Sequence, residues 1–168
     1  MKKVLLLAVF FANTFPLLAQ GDLVTEICGA KFGAPYASVK ATLQSRFGEG
    51  SCLENKDIFY IQKSIFGIDF NILTFRFENG KLKEFTFVTL AETKEGALKF
   101  EENVIDMLER KKYNVYLTED RSAYYGGKAL SRNNVEHMFH LSVSESGYSD
   151  IRYKVMLYFY EAPDIENK

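Results

Sequence analysis

Residues 68–90 read IDFNILTFRFENGKLKEFTFVTL, two aromatic and β-branched runs joined by Glu78-Asn79-Gly80-Lys81. Asn-Gly supplies the two positive φ angles of a type I′ turn, so this stretch predicts a hairpin of residues 68–77 and 82–90. The run before it, IFYIQKSIF at 58–66, has the same β-rich composition and ends at Gly67, which adds a third strand. Within the middle strand the apolar positions change phase, from Phe70 and Ile72 to Leu73, Phe75 and Phe77. A β-bulge near Ile72 would account for the change, as would a strand apolar on both faces.

Upstream, FGAPYASVKATLQSRFG at 32–48 has helical spacing. Tyr36, Val39, Leu43 and Phe47 form one apolar stripe, while Lys40, Gln44 and Arg46 fall mostly on the other side. Pro35 suits the first turn and Gly48 the end, predicting a helix over about 34–47. A second helix is expected from Lys94 to Lys111, with Thr93 as N-cap. Ala97, Phe100, Val104, Met107 and Leu108 face inward, and Glu101, Glu102, Glu109, Arg110 and Lys111 face outward.

Four more strand candidates follow at 113–118, 121–125, 134–144 and 149–160, with Gly126-Gly127 and Ser146-Gly147 as turn signals. Val135, Phe139, Leu141 and Val143 in one, and Ile151, Tyr153, Val155, Leu157 and Phe159 in the other, mark one core face. The class is α+β: two helices on one face of an antiparallel sheet of six or seven strands. The order helix, strands, helix, strands reads as a tandem unit, with half-repeats at 26–91 and 93–161 and LQSRFG closing the first helix where LERKKY closes the second. The expected core includes Val39, Leu43, Phe75, Phe87, Phe100, Val104, Leu141 and Leu157.

The first nineteen residues stand apart. Lys2 and Lys3 precede an apolar run, Val4 to Ala12, and Ala19 suits signal peptidase, so residues 1–19 read as a signal peptide and 20–168 as a single α+β domain, periplasmic or secreted. The apolar run is far shorter than the roughly 20 residues of a spanning helix, and Gln20 stands where a lipid-bearing cysteine would be. No membrane span is expected after cleavage. Without Lys2 and Lys3 there are 19 basic and 22 acidic side chains, a formal charge of −3, which argues against nucleic acid as the partner.

Cys28 and Cys52 bracket the first helix, and in an oxidising compartment a disulfide between them would tie the segment before it to the loop after it. Two unbonded thiols are the other reading. Neither cysteine has a CxxC or a nearby histidine, so no metal is expected. His137 and His140 would point to opposite faces of a strand. No GxSxG elbow accompanies Ser142 or Ser144, Glu101-Glu102 read as a solvated helix face, and Glu119-Asp120 as a polar turn. No phosphate loop or dinucleotide fingerprint is present, so neither catalytic residues nor a cofactor are assigned.

The pattern FG.PY..V...L...FG followed by F.NGKL..F.F resembles small exported proteins of the β-lactamase-inhibitor-protein fold, including outer-membrane assembly lipoproteins of the SmpA/OmlA type. The chain also looks like secreted proteins of Bacteroides-like bacteria, whose leaders often end in LLAQ. The resemblance implies binding to another protein through a sheet face or loops, without catalysis.

The residues suited to that task are Tyr124 and Tyr125 beside Gly126-Gly127, in a turn running to Lys128, and Met156, Tyr158 and Tyr160 opposite Leu157 and Phe159. Tyrosine and methionine bury large area at small entropic cost. The same tyrosines also suit a half-wet sheet with no partner. The expected function is an exported, non-enzymatic module that binds a protein. The alternative is a binder of glycans or small molecules, a hydrolase included.

Overall fold

At the hairpin that opens the sequence, Asn79 and Gly80 have φ of 51° and 74°, and Glu78 pairs with Lys81 across them. Phe66 and Gly67 repeat that geometry at 56° and 81°, joining Ile65 to Ile68. A computed structural model describes residues 26–53, 56–127, 129–131, 134–135, 138–147 and 151–160. The leader, Lys128, His137 and the tail beyond 160 lie outside the described residues.

A small antiparallel pair, β1 (Glu26–Ile27) and β2 (Ala30–Lys31), precedes α1 (Tyr36–Phe47). Then come β3 (Ser51–Cys52), β4 (Ile58–Ile65), β5 (Ile68–Glu78), β6 (Lys81–Ala91) and α2 (Lys94–Arg110). The rest is β7 (Asn114–Leu117), β8 (Ala123–Gly127), β9 (Ala129–Ser131), β10 (Asn134–Val135), β11 (Phe139–Glu145) and β12 (Tyr153–Tyr160). The protein is α+β. Its main sheet has eight strands in the order β3-β4-β5-β6-β12-β11-β8-β7, every neighbouring pair antiparallel. Each half of the chain runs helix then strands, and the last strand of each, β6 and β12, pair at the centre.

Strand alternation divides the sheet into two faces. Leu73, Phe75, Phe85, Phe87, Leu141, Leu157 and Phe159 are fully buried on one of them. Val39 and Leu43 of α1, and Ala97, Val104, Met107 and Leu108 of α2, join the same hydrophobic cluster. Phe75 and Phe85 meet edge to face at 5.5 Å, and half-buried Phe100 meets Phe70 likewise at 5.5 Å.

The helix ends show what holds the layers together. Thr93 caps α2, its hydroxyl accepting the Gly96 N–H at 3.1 Å. Pro35 stands one position before α1, with φ −63° and ψ 148°, and offers no side-chain cap. The first N–H of α1 goes instead to the hairpin turn: Tyr36 N–H donates to Gly80 O at 3.0 Å, Leu82 N–H to Ala34 O at 3.0 Å and Gly33 N–H to Leu82 O at 2.8 Å. Gly48 closes the helix at φ 83° and ψ −164°, a conformation open essentially only to glycine.

Several expectations are corrected. There is no bulge near Ile72: the β4–β5 register runs unbroken from Ile58↔Phe75 through Ile61↔Ile72 to Ile65↔Ile68. Both strands change phase together around Gln62, at φ 51°, which brings Phe70 and Leu73 alike into the core. Asn71 Oδ1 accepts the Leu90 N–H at 2.8 Å beside this twist. The register shift lies on β6, where Lys83 is the extra residue between Arg76↔Glu84 and Phe77↔Leu82, so that both Leu82 and Phe85 turn inward.

Residues 134–144 are not one strand, because Asn134 and Val135 close on Ser131 and Ala129 in a separate hairpin. Gly126-Gly127 is not a turn either, for both residues belong to β8. A Cβ at Gly126 would lie 1.9 Å from Asn114 O and 3.0 Å from the Phe139 ring, so glycine is there for close strand approach. Leu43 and Val104 have no exposed surface, and replacing either by Ala should cost about 2 to 4 kcal/mol of stability. Urea unfolding measures this, with little change in the slope against denaturant.

Candidate functional site

The face away from the helices carries the side chains that alternation sends outward from β6, β12, β11, β8 and β7. Register aligns them in one row: Tyr116 opposite Tyr125, Tyr125 opposite His140, His140 opposite Tyr158, and Tyr158 opposite Thr86. The ring centroids of Tyr116 and Tyr125 are 5.7 Å apart, and those of His140 and Tyr158 are 6.3 Å apart. Tyr160 stacks on Tyr158 at 6.3 Å with planes 6° apart. Beside them Met156 lies between Ser142 and Val88, and Val88 is followed by Ile72 and the exposed Ile61.

The Tyr158 hydroxyl donates to Met156 Sδ at 3.2 Å. Burial first, then the Glu84 carboxylate, push the phenols of Tyr158 and Tyr160 above the usual tyrosine range, so both remain neutral donors at physiological pH. A polar clamp bounds the row beyond Tyr160. Arg76 reaches Glu84 Oε2 at 3.4 Å and buried Asp57 Oδ2 at 3.6 Å, while Asp57 Oδ1 accepts the Phe77 N–H at 3.0 Å. The Thr86 hydroxyl donates to Glu84 Oε1 at 2.5 Å. Rings that are half wet, backed by a rigid sheet and rimmed with charge, offer apolar area at low ordering cost.

Four of the five binding residues read from sequence share this face: Tyr125, Met156, Tyr158 and Tyr160. Tyr124 does not. It lies opposite Leu141 and Leu117 and packs half-buried against the core, because successive strand residues point to opposite sides. The expected binding turn reaching Lys128 lies partly outside the described residues. Tyr116 and His140, neither of them among the binding residues read from sequence, belong to the row; the parity that sets Phe139 and Leu141 inward puts His140 on this face.

Other sites of chemical interest dissolve. Glu101 was expected in solvent, but it falls on the inner stripe with Ala97, Val104 and Leu108 and is only 8% exposed. Glu119-Asp120 is the polar turn expected: Asp120 accepts from the Thr118 hydroxyl at 2.6 Å, the Ser122 hydroxyl at 2.8 Å and the Ser122 N–H at 3.1 Å, which hold its carboxyl down at about 2. Two open clefts of about 430 and 420 Å³ flank Arg110, the first lined by Asp69, Phe100 and Asp106 and the second by Phe66, Lys112 and Tyr113. Among the described residues no group of three His, Cys, Asp or Glu side chains could hold a metal, and no helix is long and apolar enough to cross a membrane.

Cys28 and Cys52 are both free. Cys52 Sγ lies 3.4 Å from the hydroxyl of Tyr36. Of the two readings of this pair, the structure has the unbonded thiols. No protein-family model, curated protein or solved structure matches the chain.

Two outcomes are expected. Burial raises the Cys28 thiol to about 11 while Cys52 is exposed, so a thiol reagent at neutral pH should label Cys52 quickly and Cys28 only slowly or after unfolding. Complete labelling of neither would mean that the bond exists. Burial also raises the Glu101 carboxyl above its ordinary range. The native state then binds that proton more tightly than the unfolded chain, and stability falls as pH rises through the interval between the two values. Glu101→Gln should raise Tm at neutral pH, an advantage that disappears below about pH 4, where both states are protonated.

Proposed function

We propose that the protein is an exported, non-enzymatic module that binds a protein partner through the open face of its sheet. The observation that carries this reading is the row Tyr116, Tyr125, His140 and Tyr158, extended by Tyr160 and Met156, on the face that neither helix covers. Half-exposed tyrosines in register, held by a rigid sheet, match the composition of interface centres, and the Arg76–Glu84 pair supplies a polar rim. Export rests on the basic n-region and apolar run of residues 1–19. The resemblance to β-lactamase-inhibitor-protein-like proteins supports the same reading, and the order of elements in the two halves supports a tandem origin for 26–91 and 93–161.

The test is capture of a partner from envelope extract on the immobilised chain, followed by titration with single variants. Tyr158→Ala or Tyr125→Ala should weaken the captured complex by about 1 to 3 kcal/mol, with Tm almost unchanged. Equal affinity for both variants and the parent chain would place binding elsewhere. A large drop in Tm would show that the rings serve the fold rather than a partner.

A further inference from the structure

An open antiparallel sheet has two edges, and their backbone groups are available to another strand unless something blunts them. At one edge β3 is only two residues long, Ser51–Cys52. The other edge is β7, Asn114–Leu117, with the sequence NVYL. It contains no proline, charge or bulge, and Tyr116 and Leu117 are each 39% exposed. Apart from its shortness, the strand itself carries none of the usual protections of an edge.

The hydrogen-bond phase shows which groups are free to pair. Thr118 N–H donates to Ala123 O, so Thr118, Tyr116 and Asn114 bond toward β8. Val115 and Leu117 alternate with them, and their N–H and C=O groups point away from the sheet. The chain entering this edge is basic, with Lys111 and Lys112, and the chain leaving it is acidic, with Glu119 and Asp120 ahead of Arg121. Lys111 lies over the Phe66 ring at 4.6 Å, which leaves the exposed Lys112 as the reaching arm.

We propose that β7 pairs antiparallel with β7 of a second copy of this chain, about a two-fold axis through Tyr116. Only an antiparallel pairing sets the basic end of each strand against the acidic end of the other. The register centred on Tyr116 is the one that uses both outward-pointing residues of each four-residue strand: Val115 meets the partner's Leu117, and Leu117 meets the partner's Val115. Lys112 then lies toward the partner's Asp120. The two Tyr116 rings meet at the axis, so the aromatic rows of both copies run into one surface. Four residues per copy make a smaller contact than a standard interface, so the dimer is weak and concentration-dependent.

Tyr116 is a non-hydrogen-bonded pair in this register, with Cα atoms about 4.5 Å apart, inside the range of a disulfide. Tyr116→Cys, made in a Cys52→Ser background, should therefore form a covalent dimer on mild oxidation. Asn114→Cys should cross-link at least roughly tenfold more slowly, because its two copies sit apart along the strands. Adding Leu117→Lys to the Tyr116→Cys chain, an exposed substitution that leaves the circular dichroism spectrum unchanged, should suppress the cross-link, and high salt should slow it. Sedimentation equilibrium of the parent chain should show mass rising with concentration toward twice that of one chain. A constant single-chain mass, cross-linking at Asn114→Cys as fast as at Tyr116→Cys, or a cross-link indifferent to Leu117→Lys would each overturn the proposal. Loss of partner capture by Tyr158→Ala in a chain that still cross-links would separate this dimer from the binding face.

Discussion

The pairing of β6 with β12 is the contact on which the rest of the molecule depends. These strands come from opposite halves of the chain, and they run together from Ala91↔Tyr153 to Glu84↔Tyr160. One parity of that ladder sets Phe85 against Phe159 and Phe87 against Leu157, the centre of the core. The other sets Thr86 against Tyr158 and Val88 against Met156, the centre of the open face. A slip of one residue would exchange the two sets, which would put phenylalanines into water and tyrosine hydroxyls against the helices. Core and candidate site are thus two readings of a single register.

Around that ladder the chain uses backbone groups to join its layers. The Asn79-Gly80 turn does more than reverse a hairpin: its Gly80 carbonyl accepts the first N–H of α1, which has no side-chain cap of its own. Opposite it, Gly126 lets β7 and β8 approach so closely that no Cβ fits between Asn114 and Phe139. Both glycines spend backbone freedom on contacts that a larger residue would prevent.

The open face is stiff and mixed in character. Its rings are supported by cross-strand neighbours, the Tyr158 and Tyr160 phenols stay neutral through burial and Glu84, and its charged border is anchored by buried Asp57. On the proposed reading, the partner brings apolar area and acceptors for tyrosine hydroxyls. Extension of the same row across the β7 edge would give two copies one continuous surface, which is how a small domain can present a large one.

Sequence determined what local chemistry controls. Asn79-Gly80 specified its turn, the three-and-four spacing of Val39, Leu43, Val104 and Leu108 specified two helices, and Thr93 specified a cap, because each depends on residues a few positions away. The inward parity of Phe139, Leu141 and Leu157 was equally legible. Tertiary structure decided the rest. Glu101 is buried because the inner stripe of α2 is wider than its apolar residues, Tyr124 is drawn to the core because β8 takes its register from β11, and Cys28 and Cys52 are left as free thiols. The strand order that places β6 beside β12 and leaves β7 at an edge comes from contacts between residues far apart in the chain. Local periodicity says which side of a strand is apolar, and only the packing of distant strands says what lies against it.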